Sequence, residues 1–442
     1  MSQLNHMLQN IKENTHKAAK ITLQKSIINT STVRLVSIIS NFLIVLMIAR
    51  WLGPTAKGIT TSILTTATFV TFVAHIIGGQ SFIYLFPRSN TNELFISAYL
   101  WTFIVSFGSV FLLAIFDFFP VKYSYYIGLV SFFSSIISIH SSYMLSQNKI
   151  KSYNTYYIVP VFLSVSITAI LFFVVNYKHI DSYFYALIFS NIVVSVFSFL
   201  QTKKLHAFKL DTNLYDTAKK AIRYGLPHQL LELSQLLNTR FYYYTMLYLQ
   251  DKTDLGYFSV GVSLFEVGWT FSRSAQSLVY SKLSQHHEDS VIQNMNHFFK
   301  FGFLFSGLLS LTLLLIPDLV FELTFGQYYI GINRSLKWFI PGLLAYNAYL
   351  IFNSYYLSKG KYSLLIILNL IGFLICTLSC FITIPTKFFS GAAFSVSLGF
   401  TFIAISITYF YLKETQQPIS VLLPNKKDGE FINNLLKSAF KR

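Results

Sequence analysis

SYMLSQNK occupies Ser142–Lys149, and SYYLSKGK occupies Ser354–Lys361. Ser, Tyr, Leu, Ser and Lys recur at the same offsets 212 residues apart, close to half of the 442-residue chain. A phrase written twice at that distance marks an internal duplication, and the fold must offer it two equivalent places. Composition says in what medium. The chain is 53% hydrophobic and 12% charged, with a mean hydropathy of +0.52, whereas soluble domains carry about 25% charged residues. Long uncharged apolar stretches read as transmembrane helices.

Twelve such spans are expected. They are Asn29–Trp51, Gly58–Phe86, Glu93–Phe116, Tyr125–Leu145, Tyr156–Asn176, Ser182–Leu200, Ala218–Leu249, Gly256–Tyr280, Phe298–Ile316, Leu336–Leu357, Leu364–Ile384 and Gly391–Tyr411. Met1–Ile28 is polar and Lys-bearing, so the first span is expected to act as its own insertion signal. The implied class is an all-α polytopic membrane protein with a cytoplasmic segment (1–28), an N-lobe (29–200), a linker (201–217), a C-lobe (218–411) and a tail (412–442).

The net charge of +17 fits the positive-inside bias of membrane loops better than nucleic-acid binding. With both termini cytoplasmic, inner segments hold about 23 of the 34 basic residues. Outer segments hold only Arg50, Lys57, Lys122, Lys178, Lys252 and Lys387. The two copies of the opening phrase then end the fourth and tenth spans on the inner side. Six spans separate them, so the halves form a parallel repeat about an axis along the membrane normal. The phrase reads as an inner-face anchor, with Tyr at interface depth and Lys at the headgroups. The tail segment FINNLLKSAFKR gathers Phe431, Ile432, Leu435, Leu436 and Ala439 on one face, as in an interfacial amphipathic helix.

A second repeat lies inside the spans. Thr30, Arg34, Ser37 and Asn41 share one helical face in the first span, and His228, Glu232, Gln235 and Thr239 share one in the seventh, at a constant offset of 198 residues. The same offset carries Thr68, Thr71 and His75 of the second span onto Glu266, Trp269 and Arg273 of the eighth, where Gln276 extends the stripe, and carries Gly58 onto Gly256. Polar residues in a bilayer face the bundle interior or a wet cavity, because facing lipid is costly. These four helices are therefore expected to line a cavity between two six-helix lobes. Ser and Thr alone also suit back-bonding or helix–helix glue. The charged members are more telling: Arg34, Arg240 and Arg273 against Glu232 and Glu266 leave a basic excess. Such an excess suits an anion, and the planar guanidinium suits phosphate. Trp269, Tyr242 and Tyr243 offer faces for sugars, although single aromatics here more often pack in the core.

No catalytic motif emerges. GPTAKG (Gly53–Gly58) has its Lys before the second Gly, unlike a phosphate loop. His286, His287, Glu288 and Asp289 form one loop cluster without further metal ligands. Cys376 and Cys380 share one apolar span and read as packing residues. No cofactor and no metal are expected, and transport without a nucleotide site would be secondary or passive.

Several segments together resemble one family: ARWLGPTAKG (Ala49–Gly58), LGYFSVG (Leu255–Gly261), FGQYYIG (Phe325–Gly331), PGLLAYNAYLIFNSYYLSKGK (Pro341–Lys361) and GAAFSVSLG (Gly391–Gly399). Their order and spacing are similar to the polysaccharide-transporter branch of the multidrug/oligosaccharidyl-lipid/polysaccharide exporter superfamily, nearest to its Wzx-type flippases, over roughly Ser26–Glu414. One departure is Ser281 in YSKL, where related sequences commonly carry Pro. The resemblance implies a V-shaped pair of six-helix lobes in a bacterial plasma membrane. It implies movement of an undecaprenyl-pyrophosphate-linked oligosaccharide between leaflets, with cavity Arg and Lys residues important. Polysaccharide polymerases or chain-length regulators would be further partners. A cation or drug antiporter on the same fold is the competing reading, which would want unpaired cavity carboxylates. A membrane glycan ligase or polymerase is the third, and the short outer loops, the longest Pro317–Ser335, argue against it.

Overall fold

The computed structural model describes residues 2–79, 81–117, 119–205, 214–269, 272, 273, 276, 288–425 and 428. Side chains are described from residue 32 on, apart from 35, 204, 205, 288–291, 293, 294, 334 and 335. Thr30, Ser281, the His286–Asp289 cluster and the FINNLLKSAFKR segment lie outside these.

Thirteen α-helices are described: α1 (Ser2–Ala74), α2 (Ser81–Leu85), α3 (Thr91–Ile115), α4 (Val121–Ser146), α5 (Ile150–Phe173), α6 (Ile180–Leu205), α7 (Leu214–Leu249), α8 (Lys252–Gly268), α9 (Glu288–Leu315), α10 (Asp318–Phe325), α11 (Asn333–Leu336), α12 (Ile340–Ser358) and α13 (Tyr362–Glu414). Among the described residues, seven helices are long and apolar enough to cross a membrane, and the protein is a multi-pass membrane protein. Two of the seven each hold a pair of spans. The helical path of α13 breaks at Phe388, with φ 49° and ψ −133°, and the chain folds back on itself. Thr383 Oγ1 lies 2.9 Å from Ser395 Oγ, and Ser379 Oγ accepts from Ser395 at 2.9 Å. Twelve residues of straight helix would span about 18 Å, so these contacts require a hairpin. α1 breaks at Gly53 (φ 81°, ψ 178°), followed by Pro54, and one core cluster gathers Ile44, Met47 and Ile48 with Ile63 and Ala67 from beyond the break. Counting these halves separately and adding α7, α8 and α12 recovers the twelve expected spans. α7 falls short of the apolar criterion because its polar face carries His228, Glu232, Gln235 and Arg240.

The twice-written phrase is a helix terminator. In the first copy Lys149 N–H donates to Met144 at 2.8 Å and Asn148 N–H to Leu145 at 3.0 Å; in the second Lys361 N–H donates to Tyr356 at 3.0 Å and Gly360 N–H to Leu357 at 3.1 Å. This double pattern is the Schellman cap, which needs a left-handed residue. Asn148 (φ 56°) and Gly360 (φ 68°) supply it, and they are the two residue types that adopt that region most readily. The Tyr of each copy is packed inside the protein and not presented on its surface. Tyr143 and Tyr355 are 5% and 2% exposed. Tyr143 packs on Phe86 and Phe95, and Tyr355 on Tyr356 and Tyr411. A ring at the last turn of a helix packed on both sides gains more from core contact than from a headgroup layer.

The two halves meet about their pseudo-two-fold axis, and the contact shows the offset of 198 directly. The Thr55 and Thr253 hydroxyls, 198 residues apart, lie 2.9 Å from each other. A Cβ at Gly58 would overlap the Lys252 carbonyl, and a Cβ at Gly256 would overlap the Pro54 carbonyl. Residue i of one half thus touches residue j of the other and the reverse, the reciprocal pattern of a two-fold contact. Only Gly lets backbones approach so closely. The offset rises to 212 at the Schellman caps because the C-lobe carries an extra segment, α10 with its flanking turns. That segment reaches across to the N-lobe: Phe325 meets Phe42 edge-on at 6.1 Å, and Arg50 donates to the Leu323 carbonyl.

Candidate functional site

The Gly58–Gly256 junction seals one end of the inter-lobe space, here called the Gly53 face. Toward the opposite Lys149 face a cavity opens in two compartments. The first, about 420 Å³, is lined by Arg34, Asn41, Phe42, Tyr157, Ser263, Glu266 and Arg273. The second, about 610 Å³, is lined by Arg34, Thr68, His228, Glu232, Gln235, Thr239, Arg240, Arg273, Gln276 and Asn353, among others. Arg34 from the first span and Arg273 from the eighth border both, so the two guanidinium groups stand at the waist of one polar space. At the Lys149 face the lobes touch along a flank, where Gly225 packs under the Ile76 carbonyl and Thr217 Oγ1 hydrogen-bonds Glu93.

The stripes supply most of this wall. Six of the seven stripe pairs related by the 198-residue offset place at least one member on the cavity, and Arg34 and Glu232, one such pair, both line the larger compartment. The Ser and Thr members bond back to their own helices: Ser37 to Val33, Thr68 to Leu64, Thr71 to Ala67 and Thr239 to Gln235, at 2.8–3.0 Å. Back-bonding satisfies their hydroxyl protons and leaves the charged and amide groups as the reactive surface of the site. Asn353 is 1% exposed and lines the larger compartment with both amide atoms lacking a protein partner among the described residues; His228 Nδ1 is in the same position.

Arg240 lines the larger compartment as expected, in an ion pair with Glu266, each about a quarter exposed. Two expected site residues are placed differently. Trp269 is 3% exposed and lies against Tyr346 and Phe400, with ring centroids 4.5 and 5.6 Å away. It belongs to the C-lobe core, where its large apolar area is better buried than wetted. His75 is not among the described lining residues. It begins a 3-10 turn, His75–Ile77, with its ring 6.5 Å from that of Phe72 and its Nε2 buried. Tyr242 and Tyr243 are 3% and 5% exposed, as core residues are.

Lys57 was invisible as an interior residue. Grouped with the outer cations, it is only 6% exposed. Helix resumes at Pro54, the residue after the break, so Lys57 lies in the first turn of the second span and points into the bundle. Its Nζ donates to Thr61 Oγ1 at 3.0 Å, and Glu266 and Arg240 of the C-lobe lie within electrostatic reach. The signal available in sequence was Pro directly after Gly, which is a helix start. Cys376 and Cys380 are buried and free, in the C-lobe core. Among the described residues no cluster of His, Cys, Asp and Glu has the makings of a metal site.

A two-lobed helical bundle with a parallel repeat and a polar inter-lobe cavity is the fold of the multidrug/oligosaccharidyl-lipid/polysaccharide, or MOP, superfamily transporters, and solved structures of that class superpose on nearly the whole chain. The lipid II flippase MurJ in an inward closed conformation aligns with a TM-score of 0.71 at 15% identity, covering 89% of each chain. A multidrug resistance MATE family transporter in an inward-facing conformation aligns with 0.69 at 13%, covering 87% of this chain and 98% of that one. A MOP superfamily transporter from Pyrococcus furiosus, described as having a binding pocket of reverse polarity, aligns with 0.62 at 13%, covering 90% and 97%. No family model and no curated protein matches the sequence.

Proposed function

We propose that the protein is a flippase for an undecaprenyl-pyrophosphate-linked oligosaccharide, such as an O-antigen or other surface-polysaccharide repeat unit. It would act by alternating access in a bacterial plasma membrane, with both termini cytoplasmic and the Lys149 face inside. The observation that carries this reading is the placement of Arg34 and Arg273, from opposite lobes, at the waist of one cavity. Two guanidinium groups facing a common space match the planar oxygens of a diphosphate. The amides of Asn353, Gln235 and Gln276 on the same wall suit hydroxyl-rich sugars.

The MATE-like alignment supports a second reading, a cation or drug antiporter, for which Glu232 and Glu266 would be the binding groups. Glu266 is already paired with Arg240, and Glu232 lies within electrostatic reach of Arg273 and His228, so neither offers an isolated carboxylate. Complementation separates the two. In a strain whose surface glycan depends on this protein, Arg273→Ala should abolish display at normal membrane abundance, and Arg273→Lys should restore part of it. Full display by Arg273→Ala, or drug resistance conferred by the wild type and lost in Glu232→Gln, contradicts the flippase reading.

A further inference from the structure

Lys57 is a buried cation at the sealed end of the cavity. It belongs to the N-lobe, adjoins Gly58 of the inter-lobe junction, and is nearly excluded from solvent. A buried ammonium needs a counter-charge, and the carboxylate in reach is Glu266, on the other lobe and already bound to Arg240. Any motion that opens the Gly53 face must part Gly58 from Gly256. Lys57 then leaves with the N-lobe, and Glu266 and Arg240 leave together with the C-lobe. The same step that admits water to this end uncovers the Lys57 ammonium, which in the closed arrangement is buried and donates only to Thr61 Oγ1 among its described contacts.

We propose that Lys57 is a latent anion-binding site at the Gly53-face mouth, which takes the diphosphate of a lipid-linked substrate from Arg34 and Arg273 once the Gly58–Gly256 junction opens. This rests on the flippase reading. A lysine suits the exit: it is a compact charge on a flexible stem, holding phosphate as a point charge without the bidentate fork of Arg. One ammonium holds less tightly than two guanidinium groups, which favours release over retention. Burial at the Gly58–Gly256 junction keeps the site closed to anions until the lobes part.

The test uses the full-length protein in liposomes and an NBD-labelled polyprenyl diphosphate, with dithionite quenching to report flipping. K57A should flip about tenfold slower or worse, the worth of one charge-assisted hydrogen bond, and K57R should recover most of the rate. A T55C/T253C pair, placed where the two hydroxyls are 2.9 Å apart, locks the junction when oxidised. K57A should still form that disulfide, which shows that the junction packs, and the locked protein should bind the probe equally with Lys or Ala at 57. Wild-type flipping by K57A overturns the proposal. So does a K57R as slow as K57A, or a loss of binding in the locked K57A protein that matches its loss of flipping. A wild type that flips no diphosphate sinks the flippase reading and this inference together, whereas normal K57A flipping beside an active wild type sinks this inference alone.

Discussion

At the residue scale, the cavity arginines Arg240 and Arg273 have different jobs. Arg240 neutralises Glu266, so truncating it leaves a carboxylate in a mostly dry bundle, a loss of about 3–5 kcal/mol where such a pair is fully buried. Both groups keep about a quarter of their exposure, so the lower part of that range applies. Arg240→Ala and Glu266→Ala should each lower the thermal stability of the detergent-solubilised protein, and the double variant should lose clearly less than the sum, by about 1 kcal/mol or more. Additive losses would mean the pair does not interact. Arg273→Ala should remove transport, and Arg273→Lys, which keeps the charge beside Glu232 and Glu266, should restore part of it. A further ion pair ties the tail to the start of the ninth span. Asp428 is held by His297 Nδ1 at 2.5 Å and Lys300 Nζ at 3.0 Å. Burial alone would raise its pKa, but the Asn425 amide, Lys300 and His297 outweigh that and hold it below the ordinary 3.8. A depressed carboxylate contributes its stability above the unfolded value and loses it as pH falls through the folded one. The contact between the tail and α9 should therefore persist as pH falls from neutral to 3.8 and be released only below it. Limited proteolysis checks this: D428N should expose the tail at neutral pH, and wild type should not. Equal cleavage of both at neutral pH would show that the ion pair holds nothing.

At the element scale, the decisive contact is the pair of helix starts at Gly58 and Gly256. A Cβ at either would overlap a carbonyl of the other lobe, so Gly58→Ala and Gly256→Ala should push the lobes apart at the Gly53 face. Disulfide yield in a T55C/T253C background should fall for both, and by similar amounts because the contact is reciprocal. An unchanged yield would show that the junction does not close in the membrane as it does here. Much of this scale was legible in sequence, since apolar length set the spans and the constant offset of 198 set the repeat. What stayed hidden followed from local breaks in helical phase. The helix ends at Ala74, just before His75, and helix resuming at Pro54 carried Lys57 inside. Burial preferences also competed with periodicity: Trp269 keeps the stripe spacing of Glu266 and Arg273 yet joins the core, because a large ring gains more there. The repeated phrase was legible as a duplication but not as a Schellman cap, since Asn and Gly differ as letters and agree only in the backbone region they tolerate.

At the scale of the whole molecule, the lobes form a cavity sealed at one end and polar at its waist, which on the proposed flippase reading would carry a charged headgroup past the bilayer without exposing it to lipid. Energetics favour a direction. Carrying one charge across the membrane is worth roughly 2.3 kcal/mol per 100 mV, so a diphosphate leaving a negative interior moves downhill. Flipping in liposomes should respond to an imposed potassium–valinomycin potential; dependence on a pH gradient alone would point instead to Glu232 as a proton carrier. The central claim is that transport needs the two lobes to part at Gly58 and Gly256 around an anion held by Arg34 and Arg273. The most direct test is flipping of an NBD-labelled polyprenyl diphosphate by T55C/T253C protein in liposomes, measured before oxidation, after it, and after reduction. Flipping that stops on oxidation and returns on reduction is the expected result, with none in R273A throughout. Undiminished flipping by the cross-linked protein would contradict it.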